Sequence, residues 1–352
     1  MARLLVTGAT GHLGAWLVRD LHAHGHTTVS LARKASDRRG LLGTATTFAE
    51  GDLLDRASIE RALVGCDGVI HAGAVHRNAA LDPDDLLRPA IDGTRNVLEA
   101  AAAAKIQRVV HCSSNATVGY GQTHVPLDET SFLQNPQSAY IRAKVESERA
   151  ALALGPKLGV EVIVVNPCGI LGPWDLRITP TTKAVMDMAN GAPAVIDVTL
   201  THVEDVAAGH RLAWEKGVPG QRYLLAGDHA MRERAASTMS SLLGRRVRTL
   251  RPPYAVVWAL ALLQEKRFRL GGPEPDVTRA TLADLGRNGH LLYDAGKARR
   301  ELGWTSRPLT DTLRDTLRWL AHRRRVTGAT GEALRAKWPA DRDWPVDQAE
   351  GA

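Results

Sequence analysis

Three side chains in the first half of the chain have types and spacing that suit proton transfer at a hydroxyl or carbonyl oxygen. Ser114 follows a short apolar run, and Tyr140 and Lys144 come later in the chain, four residues apart. Residues four apart share one helical face, so the Lys144 ammonium is expected beside the Tyr140 phenol. A phenol has an ordinary pKa of about 10, which a nearby cation lowers by stabilising the phenolate. A serine hydroxyl adds a second hydrogen bond to the reacting oxygen.

Tyr-x-x-x-Lys alone is a weak signal, and its value depends on the elements that position it. Residues 109–111 form a predicted strand that ends in Cys112, Ser113, Ser114 and Asn115. Open parallel sheets bind their ligands at the carboxyl ends of strands. Tyr140 stands near the start of a predicted helix that runs towards residue 153. Together these elements predict a catalytic site at one edge of an α/β sheet.

A glycine-rich turn at the N-terminus predicts a dinucleotide site. Residues 3–14 read RLLVTGATGHLG, a short apolar strand followed by three glycines and a helix predicted over residues 15–25. Such a turn lets backbone N–H groups approach a diphosphate at the positive end of the helix dipole. The predicted cofactor contacts here are Thr7, Gly8, Thr10, Gly11, His12, Leu13 and Gly14. VTGATG recurs at residues 326–331, but there it follows a basic helix, so context carries the signal.

The residues after the second predicted strand, 27–31, favour NADP over NAD. No acid ends this strand, whereas Arg33 and further basic residues follow it. At this place a carboxylate holds the ribose 2′-hydroxyl of NAD, and an arginine accommodates the 2′-phosphate of NADP. Guanidinium pairs bidentately with phosphate. A basic surface turn without a ligand is the alternative interpretation.

Two further strand ends are predicted to contact the coenzyme. Asp52 and Leu53 follow the third strand, where the Asp52 carboxylate can accept a hydrogen bond from an adenine amino group. The fourth strand begins at residue 68 and runs into Ala72, Gly73 and Ala74, whose small side chains allow close approach of a cofactor. His71 is interpreted as a buried structural histidine, with a catalytic role as the alternative.

Composition places the chain among ordinary globular proteins. Its 352 residues suffice for one large α/β domain with a smaller lobe, and 44% are hydrophobic and 24% charged. Three dispersed cysteines indicate a reducing compartment and no metal site, and the closely spaced His22, His24 and His26 are interpreted as a surface loop. The early strand and the short apolar runs argue against a signal peptide or a membrane span, so a cytoplasmic location is the default expectation.

The charge is concentrated in residues 232–269, with nine Lys or Arg against two Glu, a net +7 that equals the excess of the whole chain. A solvated basic face is the favoured interpretation, and an anionic substrate, carrier or membrane surface is the alternative. Residues 254–263 form a predicted apolar helix, expected to pack in its own lobe, with membrane or apolar-substrate contact as the alternative. Aromatic interleaving is lacking, so nucleic acid is not an expected partner.

The motifs together resemble the extended short-chain dehydrogenase/reductase family. They look most similar to its branch of dihydroflavonol reductases, 3β-hydroxysteroid dehydrogenases and hopanoid-associated epimerase-like proteins. The resemblance extends to about residue 323. The motifs in chain order are Thr7-Gly8-x-x-Gly11-x-x-Gly14, Asp52-Leu53, His71-x-Gly73-Ala74, Ser113-Ser114, Tyr140-x-x-x-Lys144, Asn166-Pro167, Gly172-Pro173, His202-Val203-x-Asp205 and Tyr293-Asp294.

The resemblance implies a doubly wound Rossmann domain, a nicotinamide coenzyme and a Ser114, Tyr140 and Lys144 triad, with Tyr140 and Lys144 also contacting the coenzyme. It places Arg33 at the 2′-phosphate. Residues expected to border the nicotinamide are Pro167, Cys168, Gly169 and Ile170. Residues expected to contact substrate are Asn115, Trp174 and His202.

The predicted domains are residues 1–166 plus 201–230 for NADP binding and 167–200 plus 231–323 for substrate. Residues 324–352 form a tail that either folds back or stays flexible. The family often pairs through the helices carrying Asn96 and Tyr140, which implies a homodimer.

The predicted function is an NADP(H)-dependent oxidoreductase that reduces a ketone or oxidises a secondary alcohol, with an apolar or polycyclic substrate favoured. The alternatives are a sugar-nucleotide 4-epimerase with retained NAD and a non-catalytic coenzyme-binding protein. Asn115 and Ala116 follow Ser114 where 4,6-dehydratases have an acidic pair, which disfavours dehydration.

Overall fold

The computed structural model describes residues 1–74, 79–123, 125–195, 197–287 and 289–340. Strands and helices alternate through the first half of that part, in agreement with the predicted α/β class. The strands are β1 Arg3–Thr7, β2 Thr27–Ala32, β3 Thr47–Glu50, β4 Gly68–His71, β5 Arg108–Cys112, β6 Glu161–Pro167, β7 Gly169–Leu171, β8 Val198–His202, β9 Arg222–Leu225 and β10 Asp228–Ala230. The helices are α1 His12–Ala23, α2 Arg56–Ala62, α3 Asp84–Ala103, α4 Ala139–Leu154, α5 Pro180–Ala189, α6 Val203–Lys216, α7 Arg232–Leu243, α8 Tyr254–Arg269, α9 Arg279–Leu285, α10 Leu309–His322 and α11 Gly328–Lys337.

The larger sheet is parallel and has the strand order β3-β2-β1-β4-β5-β6-β9. The chain order reverses between β1 and β4, so the crevice at their carboxyl ends is the topological switch point where such sheets bind ligands. The glycine turn follows β1 directly, and Ala72 follows β4. The Rossmann-type doubly wound sheet predicted from the sequence is therefore confirmed.

Both faces of this sheet are covered by helices, because successive strand residues point to opposite sides. Leu4 and Val6 of β1 share a buried core with residues of α1 and α6. Leu5 shares the opposite core with residues of α2, α3 and α4. An apolar run without alternation is what a central strand buried on both faces requires.

The second lobe is built around a three-stranded sheet in the order β10-β8-β7, with α5, α7, α10 and α11 packed nearby. β8 pairs with β7 in parallel and with β10 antiparallel. Residues 201–202 and 228–230 therefore belong to this smaller sheet, although the predicted boundaries place them in the coenzyme domain. Strand pairing decides their place, and it is not visible in the local pattern.

The starts of two helices and the course of the tail complete the fold. α1 begins at His12, directly after the glycine turn and three residues before its predicted start, and α3 begins at Asp84, with Pro89 inside it. The tail folds back as far as the structure describes it, because Val326 and Leu334 are buried against the second lobe and α11 packs on α10.

The apolar helix α8 does not bury its outer face. Only Ala261 of this helix is buried, whereas Val256, Leu260 and Leu263 are each about half exposed. The favoured prediction that this segment packs into the core of its own lobe is therefore wrong for that face. In the part of the chain that the structure describes, no helix is long and apolar enough to cross a bilayer.

Candidate active site

Ser114 and Tyr140 meet at the carboxyl end of β5. Ser114 follows β5 by two residues, and its Oγ accepts a hydrogen bond of 3.1 Å from the backbone N–H of Ala116. The side chains of Ser114 and Tyr140 are hydrogen bonded to each other, and Lys144 stands one turn further along α4. The structure thus brings the three predicted side chains to one place.

Burial dominates the electrostatics of this site. It raises the pKa of Tyr140 to about 12, although the hydrogen bond from Ser114 acts in the opposite direction. Burial also lowers the pKa of Lys144, against the opposing influence of Cys112 and Glu148. The sequence predicts a lowered tyrosine pKa from the lysine and the cationic nicotinamide together. In the chain itself, the loss of solvation of the phenolate outweighs the stabilising neighbours.

A buried carboxylate lies behind the Ser114 backbone. Glu148 stands one turn after Lys144 on α4 and is fully buried. Its Oε2 accepts hydrogen bonds from Thr117 Oγ1 at 2.6 Å and Asn166 Nδ2 at 2.9 Å, and also from the Ser113 hydroxyl. Its Oε1 lies 2.5 Å from the Nε of Arg222. The carboxylate therefore ties α4 to the ends of β5, β6 and β9.

The same cluster fixes the backbone at Ser114. The Ser114 carbonyl oxygen accepts hydrogen bonds from Thr117 Oγ1 at 2.9 Å and Asn166 Nδ2 at 3.2 Å. Both donors are also bonded to Glu148, so the position of the serine depends on a charge that does not reach the site itself. Glu148 is a residue that the sequence analysis missed, although its four-residue spacing from Lys144 places it on the same helical face.

His71 is the structural histidine that the sequence predicts. Its Nδ1 lies 2.7 Å from Thr7 Oγ1, and its Nε2 lies 3.2 Å from Thr94 Oγ1. Burial, aided by the charge of Lys144, lowers the pKa of His71 to about 3. The imidazole therefore stays neutral at physiological pH and links β4 to the end of β1.

The glycine turn fits a diphosphate. Gly8 has a φ of +69° and the Gly11 N–H donates to its carbonyl oxygen at 2.9 Å. A Cβ at Gly14 would lie 2.1 Å from that same oxygen, so only glycine allows this close turn. Gly11 caps α1 without a side-chain hydrogen bond, and the first turn holds no acid. The helix start thus offers backbone N–H groups to an anion.

His12 and Leu13 belong to this turn through their backbone. The His12 side chain points towards the second lobe, where its Nε2 lies 3.0 Å from the Pro173 carbonyl oxygen. Burial lowers the pKa of His12, although the Asp175 carboxylate, 4.0 Å away, opposes the shift. Thr10 is half-buried in the turn. The predicted contacts of these residues with a diphosphate stay predictions, carried by main-chain N–H groups.

Some of the basic residues after β2 already have partners within the chain, and others do not. The Arg39 guanidinium pairs with Asp37 at 2.8 Å, and Arg38 lies over the Phe48 ring at 4.6 Å. Arg33 is exposed directly after β2 and forms no ion pair with any described residue. Of the predicted phosphate-binding cluster, Arg33 and the neighbouring exposed Lys34 therefore pair with no described carboxylate and are free to meet a 2′-phosphate.

The remaining predicted coenzyme contacts follow the same edge of the sheet. Asp52 and Leu53 follow β3, and the Leu53 carbonyl oxygen accepts a hydrogen bond from Asn96 Nδ2 at 2.8 Å. The Gly73 N–H donates to Thr7 Oγ1 at 3.0 Å, which holds the chain after β4 against β1. Of the other predicted contacts, Ala72 and Ala74 follow β4. The rest run from the end of β6 into β7 and are Pro167, Cys168, Gly169 and Ile170.

Two of the three predicted substrate residues have other partners. Trp174 is buried, and its ring stacks on that of Trp319 with 6.1 Å between the ring centroids. The Arg19 guanidinium lies over the Trp174 ring, 4.1 Å from its centroid. His202 is buried and caps α6, where its Nδ1 accepts from the Glu204 N–H at 3.2 Å. Both side chains join elements of the fold, which corrects their assignment to substrate.

Asn115 lies beside the Ser114 hydroxyl, and its contact with substrate stays a prediction. It is half-buried, and its Oδ1 lies 3.4 Å from Ser114 Oγ.

The start of α4 has a further support that the sequence analysis missed. Asp284 of α9 accepts hydrogen bonds from the backbone N–H groups of Gln137 at 2.7 Å and Ser138 at 2.9 Å. No motif surrounds Asp284, so only the fold reveals this contact.

The comparisons with known proteins agree with this geometry. The model of the NAD dependent epimerase/dehydratase family matches residues 4–226. Sterol demethylase protein B of Methylococcus capsulatus is 34% identical over 331 residues, which are 91% of this chain and 98% of that protein. The 4-hydroxy-2-methyl-3-oxo-4-farnesyl-3,4-dihydroquinoline-1-oxide ketoreductase of Stigmatella aurantiaca is 31% identical, over 90% of this chain and 96% of its own.

A solved structure extends the likeness to three dimensions. The crystal structure of gox2253 is 32% identical and has a TM-score of 0.81, over 93% of this chain and 100% of that chain. The family model spans more than half of the chain, and both relatives span nearly all of it. The chain therefore belongs to the NAD dependent epimerase/dehydratase family and is an NAD(P)-dependent enzyme of the extended short-chain dehydrogenase/reductase type.

Proposed function

We propose that this enzyme is an NADP(H)-dependent oxidoreductase that reduces a ketone or oxidises a secondary alcohol. The carrying observation is the hydrogen-bonded pair of Ser114 and Tyr140, with Lys144 one turn away, at the edge that holds the glycine turn. NADPH bound there would supply the hydride for the carbonyl carbon. The residues of the chain then have to handle one proton and the charge on one oxygen.

The roles of the three residues follow from their chemistry. In the direction of reduction, Tyr140 donates its phenolic proton to the carbonyl oxygen, and Ser114 holds that oxygen by a hydrogen bond. The Lys144 ammonium stabilises the phenolate that remains, and it also binds the nicotinamide ribose. Because burial alone favours the protonated phenol, Tyr140 begins the reduction as the acid that the reaction needs.

Replacing Tyr140 tests the proton donor. Tyr140→Phe keeps the ring and removes the hydroxyl, so we expect turnover to fall about 10²- to 10⁴-fold, the usual contribution of general acid catalysis. NADPH affinity, measured by fluorescence titration, should stay nearly unchanged. Turnover at the level of the unchanged enzyme would remove Tyr140 from the mechanism.

Replacing Arg33 tests the coenzyme preference. A charge-assisted hydrogen bond contributes about 1.5–3 kcal/mol, so Arg33→Ser should raise the KM for NADPH about 10- to 100-fold. The KM for NADH should not change, because NADH lacks the 2′-phosphate. Arg61→Ser removes another exposed guanidinium, in the last turn of α2, where it pairs only loosely with Asp55 at 3.9 Å, and serves as the control. A preference of the wild-type enzyme for NADH over NADPH would contradict the proposal.

A 4-epimerase with retained NAD is the second candidate, because the matched family includes epimerases. In that case the same triad would oxidise and then reduce one carbon, with no net change of coenzyme. Stoichiometric NADPH consumption with a ketone supports the reductase. Tightly bound NAD in the purified protein, with a sugar nucleotide converted and no coenzyme consumed, supports the epimerase.

The substrate class that we propose is an apolar or fused-ring ketone. One relative is named for sterol demethylation and another for the reduction of a farnesylated dihydroquinoline oxide. A screen of steroid and quinolone ketones against NADPH oxidation tests this class, and activity confined to small polar ketones would contradict it.

We further propose a homodimer through α3 and α4, which sedimentation velocity can test.

A further inference from the structure

The outer face of α8 combines apolar exposure with positive charge. Residues spaced at three or four along it are Val256, Leu260 and Leu263, exposed by 48%, 53% and 55%, and Leu270 follows the helix at 88%. Trp258 is 39% exposed but lies on the other side of the helix, under the Arg279 guanidinium. Soluble proteins rarely expose a contiguous apolar stripe of this kind without a partner.

The positive charges of the same helix are concentrated in its last turn. Lys266, Arg267 and Arg269 are exposed in its last turn and form no ion pair with a described carboxylate. The acid of the helix, Glu265, points inwards, where it accepts hydrogen bonds from the N–H and Nε of Arg279 at 2.6 and 2.9 Å. The outward surface is therefore apolar and cationic, with its carboxylate already neutralised.

We infer that α8 docks the enzyme on an anionic lipid bilayer, with the helix lying in the plane of the interface. Helices that lie in this way present leucine and tryptophan to the acyl chains and Lys or Arg to anionic headgroups. A second copy of the chain fits this face less well, because the acid of α8, Glu265, is already paired with Arg279 and the helix offers no free carboxylate to meet these cations. Anionic phospholipid matches both the apolar stripe and its charge.

The inner side of α8 connects this surface with the active site. The Tyr254 hydroxyl donates to the Leu282 carbonyl oxygen of α9 at 3.4 Å, and Arg279 of α9 lies over the Trp258 ring at 5.3 Å. Asp284 of α9 in turn accepts the N–H groups of Gln137 and Ser138 at the start of α4. The proposed lipid face thus lies one short helix away from the helix of Tyr140.

Vesicle flotation of the full chain tests the inference without turnover, so the result does not depend on the proposed function. The probes are phosphatidylcholine vesicles with and without phosphatidylglycerol. We expect the protein to float with the anionic vesicles, to stay below with the neutral ones, and to be released by salt, because the headgroup attraction is screened.

Two paired variants locate the surface. Leu260→Glu with Leu263→Glu should lower vesicle partition by about tenfold or more, since two half-exposed leucines lose their apolar contact. The control is Leu42→Glu with Val64→Glu, which changes two side chains elsewhere that are at least as exposed.

Lys266→Gln with Arg267→Gln should weaken partition about fivefold for each charge, and Arg61→Gln with Arg95→Gln removes the same net charge elsewhere as its control.

Three results would overturn the inference. They are no flotation with anionic vesicles, an equal loss of binding in the control variants, and equal binding to neutral vesicles. A dimer that Leu260→Glu with Leu263→Glu converts to a monomer, in a protein that does not bind vesicles, would assign the face to a second copy instead. Circular dichroism of each variant confirms that the fold is retained, as expected for exposed positions.

Discussion

The buried ion pair of Glu148 and Arg222 gives the sharpest test of what holds Ser114, the serine of the proposed triad. Glu148 is fully buried, and the Arg222 side chain is 11% exposed. Water therefore cannot solvate either charge well once its partner is removed. Removing one partner of such a pair costs about 3–5 kcal/mol, because the other charge stays buried. Arg222 keeps the Glu129 and Ser131 carbonyl oxygens as acceptors, each at 2.8 Å. We therefore expect Glu148→Ala to cost about 3 kcal/mol.

The chain provides a matched control on the same helix. Glu146 pairs with Arg149 at 2.8 Å, but both side chains are more than a third exposed. Such a surface pair contributes only about 0.3–0.5 kcal/mol, so Glu146→Ala should hardly change stability. Urea unfolding followed by circular dichroism compares the two variants. Equal losses for both would refute the importance of the buried network.

A second comparison separates the ion pair from simple packing. In Glu148→Leu with Arg222→Met, both charges are replaced by apolar side chains of similar length. Because no unpaired charge remains, this double variant should recover much of the stability that Glu148→Ala loses. A double variant as unstable as the single one would show that the polar contacts to Thr117 and Asn166 matter more than the charge.

Two further predictions concern the first half of the chain. Gly14→Ala should lower the free energy of unfolding by about 3 kcal/mol and abolish NADPH binding, since the new Cβ would lie 2.1 Å from the Gly8 carbonyl oxygen. In the control, Gly11→Ala, the new Cβ would lie 3.3 Å from the same oxygen, so this variant should fold. Equal urea midpoints for the two variants would contradict this prediction. Stability should fall as the pH drops from 6.5 towards 4, because burial lowers the pKa of His71 to about 3 and of His210 to about 4, while the unfolded chain binds these protons near 6.5. Urea midpoints that do not change over this range would contradict the second prediction.

The local motifs predicted the edge of the sheet well because each one is set by a close backbone approach. Gly8 and Gly14 are required by contacts of the turn with itself, so the sequence alone shows the strand, turn and helix. The second VTGATG, at residues 326–331, has no strand before it, and it starts α11 on the surface of the second lobe. The identical hexapeptide thus adopts two structures, as the difference in context predicted.

The residues that the sequence did not reveal act through partners distant along the chain. The Glu148 carboxylate of α4 pairs with Arg222 at the start of β9. Asp284 of the second lobe accepts hydrogen bonds from the backbone at the start of α4. The helical spacing predicted neither contact, because burial depends on what packs opposite. Trp174 and His202 illustrate the reverse case. Their motif position suggested substrate, but stacking on Trp319 and the cap on α6 occupy both side chains.

The interleaved course of the chain through its two sheets has a consequence for how the enzyme can change. The chain leaves the large sheet after β6 for β7 and β8, returns through α6 to β9, and leaves again for β10. The second lobe therefore cannot be exchanged as one contiguous piece, because three crossings of the chain would have to be rejoined. New specificity in such an architecture has to arise by substitution and by changes in loop length. Because the chain crosses between the sheets, the unfolding of either sheet would strain the other, which couples the folding of the two lobes.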